Sequence, residues 1–275
     1  MSSVLAYRAL KCLLALLPIR WSIGLAKAFF KIGYWIDLEK RKNIIENLSV
    51  VCGIADVRSR AKEVFASFGR YLVEFLSPPR KREFLRQSTQ IVGEENALNA
   101  YRRGKGVIGL TAHIGNWEMG AYMTVRLGID VSAIYITHPN PGLDRLFINQ
   151  RKVPGLTVIP WKQDATRRCL EALRKGAFLA IAGDIDFPGT GLDVKLFGRN
   201  TKIPRGPIVF SKRTGAPIVP AAYVWTSSGS RLIYWEPIEP EDCSEEELGD
   251  KIARSLEKMI QDYPTQWICF EKIFI

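Results

Sequence analysis

A chain of 275 residues with 47% hydrophobic side chains can bury a sizeable core, which excludes disorder as its organising theme. Thirty-nine basic against 28 acidic residues give a net charge of +11, which favours an anionic partner: nucleic acid, phospholipid headgroups or an acidic carrier protein. The five scattered cysteines (Cys12, Cys52, Cys169, Cys243, Cys269) make no C-x-x-C and no cluster with histidine, so neither a disulfide framework nor a zinc site is indicated, and a reducing environment fits.

Residues 1–36 carry Arg8, Lys11, Arg20, Lys27 and Lys31 but no acid, and between those cations they are dense in leucine and aromatics. The longest uncharged run there, Cys12–Ile19, is eight residues, far short of the roughly 18–20 that a spanning helix needs. Pro18 divides the segment into two helical pieces. In the second, Arg20, Gly24, Lys27 and Lys31 share one helical face while apolar residues fill the rest. That pattern predicts helices lying in a membrane interface, cations toward phosphates and rings toward acyl chains. A signal peptide fits less well, because Arg20 and Trp21 stand where a small-residue cleavage site belongs. Residues 1–36 are therefore expected to be a docking segment ahead of a main domain, residues 37–275.

Apolar stripes through Ile44, Ile45 and Leu48, then Val64, Phe65, Phe68, Leu72 and Phe75, predict core-packed helices across residues 39–77, stopped by Pro78-Pro79. Arg80-Lys81-Arg82 and Arg86 follow as a candidate anion contact. From about residue 88 strands alternate with helices. Val107–Thr111, Val131–Ile136, Phe178–Ala182, Pro217–Trp225 and Arg231–Glu236 read as strands; Trp117–Leu127 and a segment from Asp164 to Lys175 read as helices. Residues 236–250 hold eight acids, and Ser244 with Glu247 forms a capping box for a helix through Asp262. The expected fold is α/β, a mixed and mostly parallel sheet flanked by helices.

Ligand sites in such sheets form beyond the C-terminal ends of the strands. The first strand ends in His113-Ile-Gly115-Asn116-Trp-Glu118, and the third in Gly183-Asp184-Ile-Asp186, continuing to Gly191. Between them lie His138-Pro-Asn140-Pro141 and Arg151. With only two histidines in the chain, one delivered to a strand end beside a carboxylate is a candidate general base. A purely structural histidine is the plainer alternative.

His113-x4-Glu118 resembles the H-x4-D/E motif of lysophospholipid-type acyltransferases, and most resembles their lipid A late acyltransferase (lauroyl/myristoyl transferase) branch. Arg41 to Asn47-Leu48, Asn140-Pro141 with Asp144, Arg151 and Gly155, Asp184-x-Asp186 through Leu196-Phe197-Gly198, and Thr214 to Pro220 are similar to that branch's blocks in matching order, over roughly residues 10–270. Gln266-Trp267 begins a string that in the branch continues to His-Arg-Arg; this chain lacks that continuation. That departure leaves the acceptor open to the related branch that acylates mannosylated phosphatidylinositol, or to other glycolipids.

The resemblance implies a fatty-acyl thioester donor (acyl carrier protein or acyl-CoA) and a hydroxyl of a glycolipid such as a lipid A precursor. It also implies the cytoplasmic face of the inner membrane, and no metal or nucleotide cofactor. Acyl transfer needs a base for the hydroxyl and an acid to orient it, roles that fall to His113 and Glu118. Gly115 and Asn116 are expected to admit substrate closely. Arg151 is expected either on Glu118 or on a phosphate. Asp184 and Asp186 are expected to stabilise a turn or hold the acceptor sugar, with the turn favoured. Lys195 and Arg199 open a basic run suited to acceptor phosphates or an acidic carrier. A nucleic-acid binder finds no helix-turn-helix or RNA-recognition signature here, and an esterase no G-x-S-x-G elbow.

Overall fold

In the computed structural model, which describes residues 2–275, Pro18 separates helix α1 (Ser2–Leu16) from α2 (Ile19–Ile36). Two further helices, α3 (Leu38–Cys52) and α4 (Val57–Leu76), complete an α-helical layer. The crossing of α2 on α4 is close: a Cβ at Gly69 would sit 2.8 Å from the Ala26 carbonyl oxygen. Inward residues Tyr34, Ile44, Leu48, Val64 and Phe65 form an apolar cluster between these helices, whereas Tyr7 and Leu14 of α1 join the cluster that also holds Met119, Met123 and Tyr223. None of the helices among the described residues is long and apolar enough to cross a membrane.

Helix α2 leaves a stripe uncovered. Trp21, Leu25, Phe29, Ile32 and Trp35 follow helical spacing and are exposed, Trp21 by 69% and Phe29 by 68%. Arg20 lies exposed on its flank, and Lys31 pairs with Glu63 at 2.5 Å. The outward stripe is thus apolar, with the cations beside it.

The short helix α5 (Pro79–Gln87) carries the basic cluster, and three of its four cations are spent internally while Arg80 stays exposed. The Lys81 ammonium donates to the carbonyls of Leu14 (2.5 Å), Ala15 (3.0 Å) and Leu17 (2.5 Å), supplying the cation that the C-terminus of α1 lacks in its own last turn. Arg82 donates to the Tyr122 hydroxyl and the Gln150 carbonyl, and Arg86 pairs with Glu83. Lys81 of the expected anion contact is therefore a helix-end clamp.

Strand β1 (Thr89–Val92) and helix α6 (Glu94–Arg102) precede β2 (Val107–Thr111), α7 (Trp117–Arg126), β3 (Val131–Tyr135), α8 (Pro141–Arg151), β4 (Leu156–Pro160), α9 (Ala165–Arg174) and β5 (Phe178–Ala182). A two-stranded hairpin, β6 (Leu192–Leu196) with β7 (Arg199–Ile203), leads to α10 (Gly206–Thr214), β8 (Ile218–Thr226), β9 (Gly229–Tyr234) and α11 (Glu245–Asp262). The capping box of Ser244 and Glu247 is present. The hairpin, β1, β4, α6, α8 and α10 add to the expected elements; most are short or carry weak periodicity.

Seven strands form one sheet in the order β1-β9-β8-β2-β5-β3-β4. Strands β8, β2, β5, β3 and β4 run parallel; β9 turns back antiparallel on β8 and carries β1 parallel to itself. The expected α/β class is what the chain adopts. Strand β2 is central, and its residues Val107–Leu110 are buried, as a parallel strand covered on both faces requires. The chain leaves β2 toward β3 on one side, and β8 later takes the place on its other side. Between β2 and β5 lies the topological switch point where an α/β sheet opens a crevice.

Candidate active site

Register explains what meets at that crevice. In the β2–β5 pairing Thr111 stands opposite Ala182, so His113 and Asp184, each two residues further on, emerge side by side. The Asp184 carboxylate accepts from His113 Nδ1 at 2.8 Å through Oδ1, and from the His113 backbone N–H at 3.0 Å through Oδ2. Oδ2 also accepts from the Trp267 indole Nε1–H at 2.9 Å. The Asp184 side chain is fully buried while that of His113 is 22% exposed. With Nδ1–H committed to the carboxylate, Nε2 carries the lone pair and has no partner among the described residues.

The electrostatics follow from this contact. Burial alone would push the imidazole down, but the charge and hydrogen bond of Asp184, then the Glu118 charge, outweigh it and hold His113 above its ordinary value of 6.5. Burial would likewise raise the Asp184 carboxyl; the bonds from His113 and Trp267 hold it below the usual carboxylate range.

Glu118 does not orient the histidine. Asn116 caps α7, its side chain accepting from the Met119 N–H at 3.0 Å, so Trp117 and Glu118 open the helix and point in different directions. Trp117 meets the His113 ring edge-on at 5.0 Å and stacks on Tyr71 at 4.2 Å. Glu118 turns toward α8, where Arg151 Nε donates to both of its oxygens at 2.9 and 3.0 Å, and Nη2 donates at 2.5 Å. The guanidinium also lies over the rings of Phe75 and Tyr135. Burial pulls Arg151 down, yet the Glu118 charge dominates and holds it above its ordinary range.

The remaining expected residues separate. Gly115 has φ +57°, and a Cβ there would meet the Tyr223 carbonyl oxygen at 1.9 Å, so its close approach is to the neighbouring strand rather than to substrate. Asn116 is 1% exposed, and its amide donates to Glu74 at 2.9 Å. Asp186 closes its own turn by accepting from the Gly191 N–H at 2.6 Å, as the turn reading expects. Lys195 and Arg199 are exposed on the β6–β7 hairpin, and no described hydrogen bond or ion pair ties them to His113. His138 lines a cleft of about 330 Å³ with Tyr135, Asp144, Phe147 and Arg151, its Nδ1 accepting from the Asn140 N–H. A larger cavity of about 390 Å³ lies beside the N-terminal ends of β3 and β4 and contains none of the candidate residues.

Two contributors escape sequence reasoning. Glu74 of α4, fully buried, accepts from Arg70 (2.8 Å), Asn116 (2.9 Å) and the Trp225 indole (3.0 Å), joining the helical layer to the histidine loop. The segment after the 3-10 turn Pro264–Gln266 pairs with that same loop: the Ile268 N–H donates to the His113 carbonyl at 2.7 Å, and the Gly115 N–H to the Gln266 carbonyl at 2.9 Å. A lone acid in an apolar stripe and a Gln-Trp pair far along the chain were the only signals.

Three comparisons relate the chain to known proteins. The family model described as "Bacterial lipid A biosynthesis acyltransferase" matches residues 3–274. Two similar relatives are a phosphatidylinositol mannoside acyltransferase of Mycobacterium tuberculosis (strain CDC 1551 / Oshkosh) and one of Mycolicibacterium smegmatis. The first is 26% identical over 215 residues, 73% of this chain and 66% of the relative; the second is 23% identical over 207 residues, 74% and 68%. The chain thus spans about two thirds of the length of these relatives. The 1-acyl-sn-glycerophosphate acyltransferase PlsC of Thermotoga maritima aligns with a TM-score of 0.42 at 15% identity, over 86% of this chain and 97% of that one. With a family match across nearly its whole length, the chain belongs to the bacterial lipid A biosynthesis acyltransferase family.

Proposed function

We propose that this protein transfers a fatty-acyl chain from an acyl thioester, carried by acyl carrier protein or CoA, to a hydroxyl of a glycolipid, with His113 as general base. The observation that carries the reading is the buried Asp184 on Nδ1, which leaves the Nε2 lone pair free at the topological switch point. The acceptor O–H gives its proton to Nε2 as its oxygen bonds the thioester carbonyl carbon. The C–S bond then breaks, and the imidazolium returns the proton to the leaving thiolate. Asp184 keeps the tautomer and stabilises the imidazolium. A thioester is already activated, so no acyl-enzyme is required. Cys269, the thiol whose titration Asp184 influences, is buried and raised well above its ordinary value, which suits packing rather than attack.

The exposed stripe of α2, with Arg20 beside it, supports docking on an anionic membrane surface, the inner membrane's cytoplasmic face being the reading carried from the sequence. Ile136, Trp161 and Phe187 follow β3, β4 and β5 at the same end of the sheet as His113 and are each at least half exposed, which suits a site mouth that receives lipid. Lys195 and Arg199, free of ion pairs among the described residues, are the hairpin cations offered to an acidic carrier or an acceptor phosphate.

A lipid A precursor is the acceptor the family description suggests; mannosylated phosphatidylinositol is a second reading, favoured by the names of the curated relatives. The test is lipid mass spectrometry on a strain lacking the protein, complemented with wild type or His113→Ala. One glycolipid should lack a single acyl chain, restored by wild type alone. Restoration by a folded His113→Ala variant would overturn the proposal.

A further inference from the structure

We infer that Trp267 is a positioning residue for the reaction, the third member of a His113–Asp184–Trp267 relay. The inference rests on His113 acting as the base. In the sequence Gln266-Trp267 marks only the start of a string shared with the resembled branch, and nothing local assigns the indole a role. The structure places it otherwise. Trp267 is 2% exposed, and its only polar side-chain atom, Nε1, is spent on Asp184 Oδ2 at 2.9 Å.

A fully buried carboxylate stays ionised only if its oxygens are supplied with donors. Asp184 has three: the imidazole on Oδ1, and the His113 backbone N–H and the indole N–H on Oδ2. The two backbone and side-chain contacts from His113 come from one residue, on one side. The indole is the donor that approaches from another element, and on Oδ2 it joins the His113 N–H, so the orientation that aims Oδ1 at Nδ1 is held from two elements rather than one.

The same segment holds the other half of the dyad. Trp267 bridges Ile114 in antiparallel fashion, and the flanking bonds from Ile268 N–H to the His113 carbonyl and from Gly115 N–H to the Gln266 carbonyl clasp the histidine loop. The clasp is itself anchored away from the site. The Gln266 side chain bonds the Trp225 backbone in both directions, at 2.8 and 2.7 Å, and Asn43 and Asn47 donate to the carbonyls of Phe270 and Glu271. Base and acid are therefore referenced to one short stretch of chain, and a change there moves both together.

Trp267→Phe keeps an aromatic ring and removes the donor. The expected result is a kcat about tenfold lower with both KM values within twofold of wild type, the loss expected for one hydrogen bond to a charged group. The His113 imidazole, read by NMR in a chain with only two histidines, should titrate at a higher pH, because Oδ2 no longer shares the carboxylate charge with the indole. A folded Trp267→Phe variant with wild-type kcat and an unmoved His113 midpoint would overturn the inference; so would a lower kcat with the midpoint unmoved, which marks packing alone. If Trp267→Phe fails to fold, replacing the indole at 267 by benzothiophene removes only the N–H, and the same two outcomes decide. The midpoint needs no substrate, and His113→Ala separately tests whether His113 is the base, so failure of this inference and failure of the proposed function are told apart.

Discussion

Two carboxylates lie beside His113, and they are held in opposite ways. Glu118 is five residues away in sequence and is bound to a guanidinium on α8, and it accepts no hydrogen bond from the imidazole. Asp184 is 71 residues away and lies 2.8 Å from Nδ1. The difference teaches that in a parallel sheet the useful neighbour is set by strand register, because adjacent strands bring their C-terminal ends together whatever the length of chain between them. Proximity along the chain is cancelled by the Asn116 cap, which starts a helix whose first two side chains diverge.

The comparison is broken most severely at Asp184. Asp184→Asn keeps the shape but presents an amide to Nδ1, favouring the wrong tautomer, and is expected to lower kcat by about 10³–10⁴-fold, the scale seen when a triad acid is neutralised. Steady-state acyl transfer from acyl-CoA measures it. Glu118→Gln is expected to act mainly through stability. It leaves Arg151, 15% exposed, without its countercharge, at a cost of about 3 kcal/mol by denaturant unfolding. The double variant Glu118→Gln with Arg151→Met should recover much of that loss, since removing both partners leaves no orphaned charge. Recovery of stability without recovery of activity would show that the pair also touches substrate.

The pH dependence sharpens the same contrast. A base must be neutral to act, so activity should rise through the raised His113 midpoint, on the alkaline side of 6.5. The stabilising effect of the pair runs in the reverse direction for the histidine: it is full below the unfolded value of 6.5 and is lost as pH rises through the folded midpoint. For Asp184, held low, it is present above 3.8 and lost as pH falls through the lowered value. The smallest effect belongs to the hairpin. Lys195→Glu with Arg199→Glu should raise KM for an acyl-carrier-protein donor several-fold, more at low salt than at high, with little change in kcat.

The sequence made His113, its loop, the central strand and the Asp184 loop visible, because buried strands and glycine-rich strand ends leave local signals. The resemblance supplied the family, and Pro18 within the apolar, acid-free residues 1–36 marked the division between the first two helices. What the sequence hid was pairing. Asp184 read as a turn residue, since nothing local says that Phe178–Ala182 inserts next to Val107–Thr111 rather than outside Val131–Tyr135. Lys81 read as part of a candidate anion contact, since the carbonyls it caps belong to a stretch more than 60 residues earlier. Glu74 lay in an apolar stripe and Trp267 in a string of the resembled branch, and their polar atoms acquire meaning only when another element arrives.

Titration of the His113 ring by NMR in wild type, Asp184→Asn and Glu118→Gln tests the central claim most directly. Asp184→Asn should drop the midpoint below 6.5, burial then acting with only the more distant Glu118 charge against it, while Glu118→Gln should lower it only slightly. A midpoint that stays high in Asp184→Asn and collapses in Glu118→Gln would contradict the account.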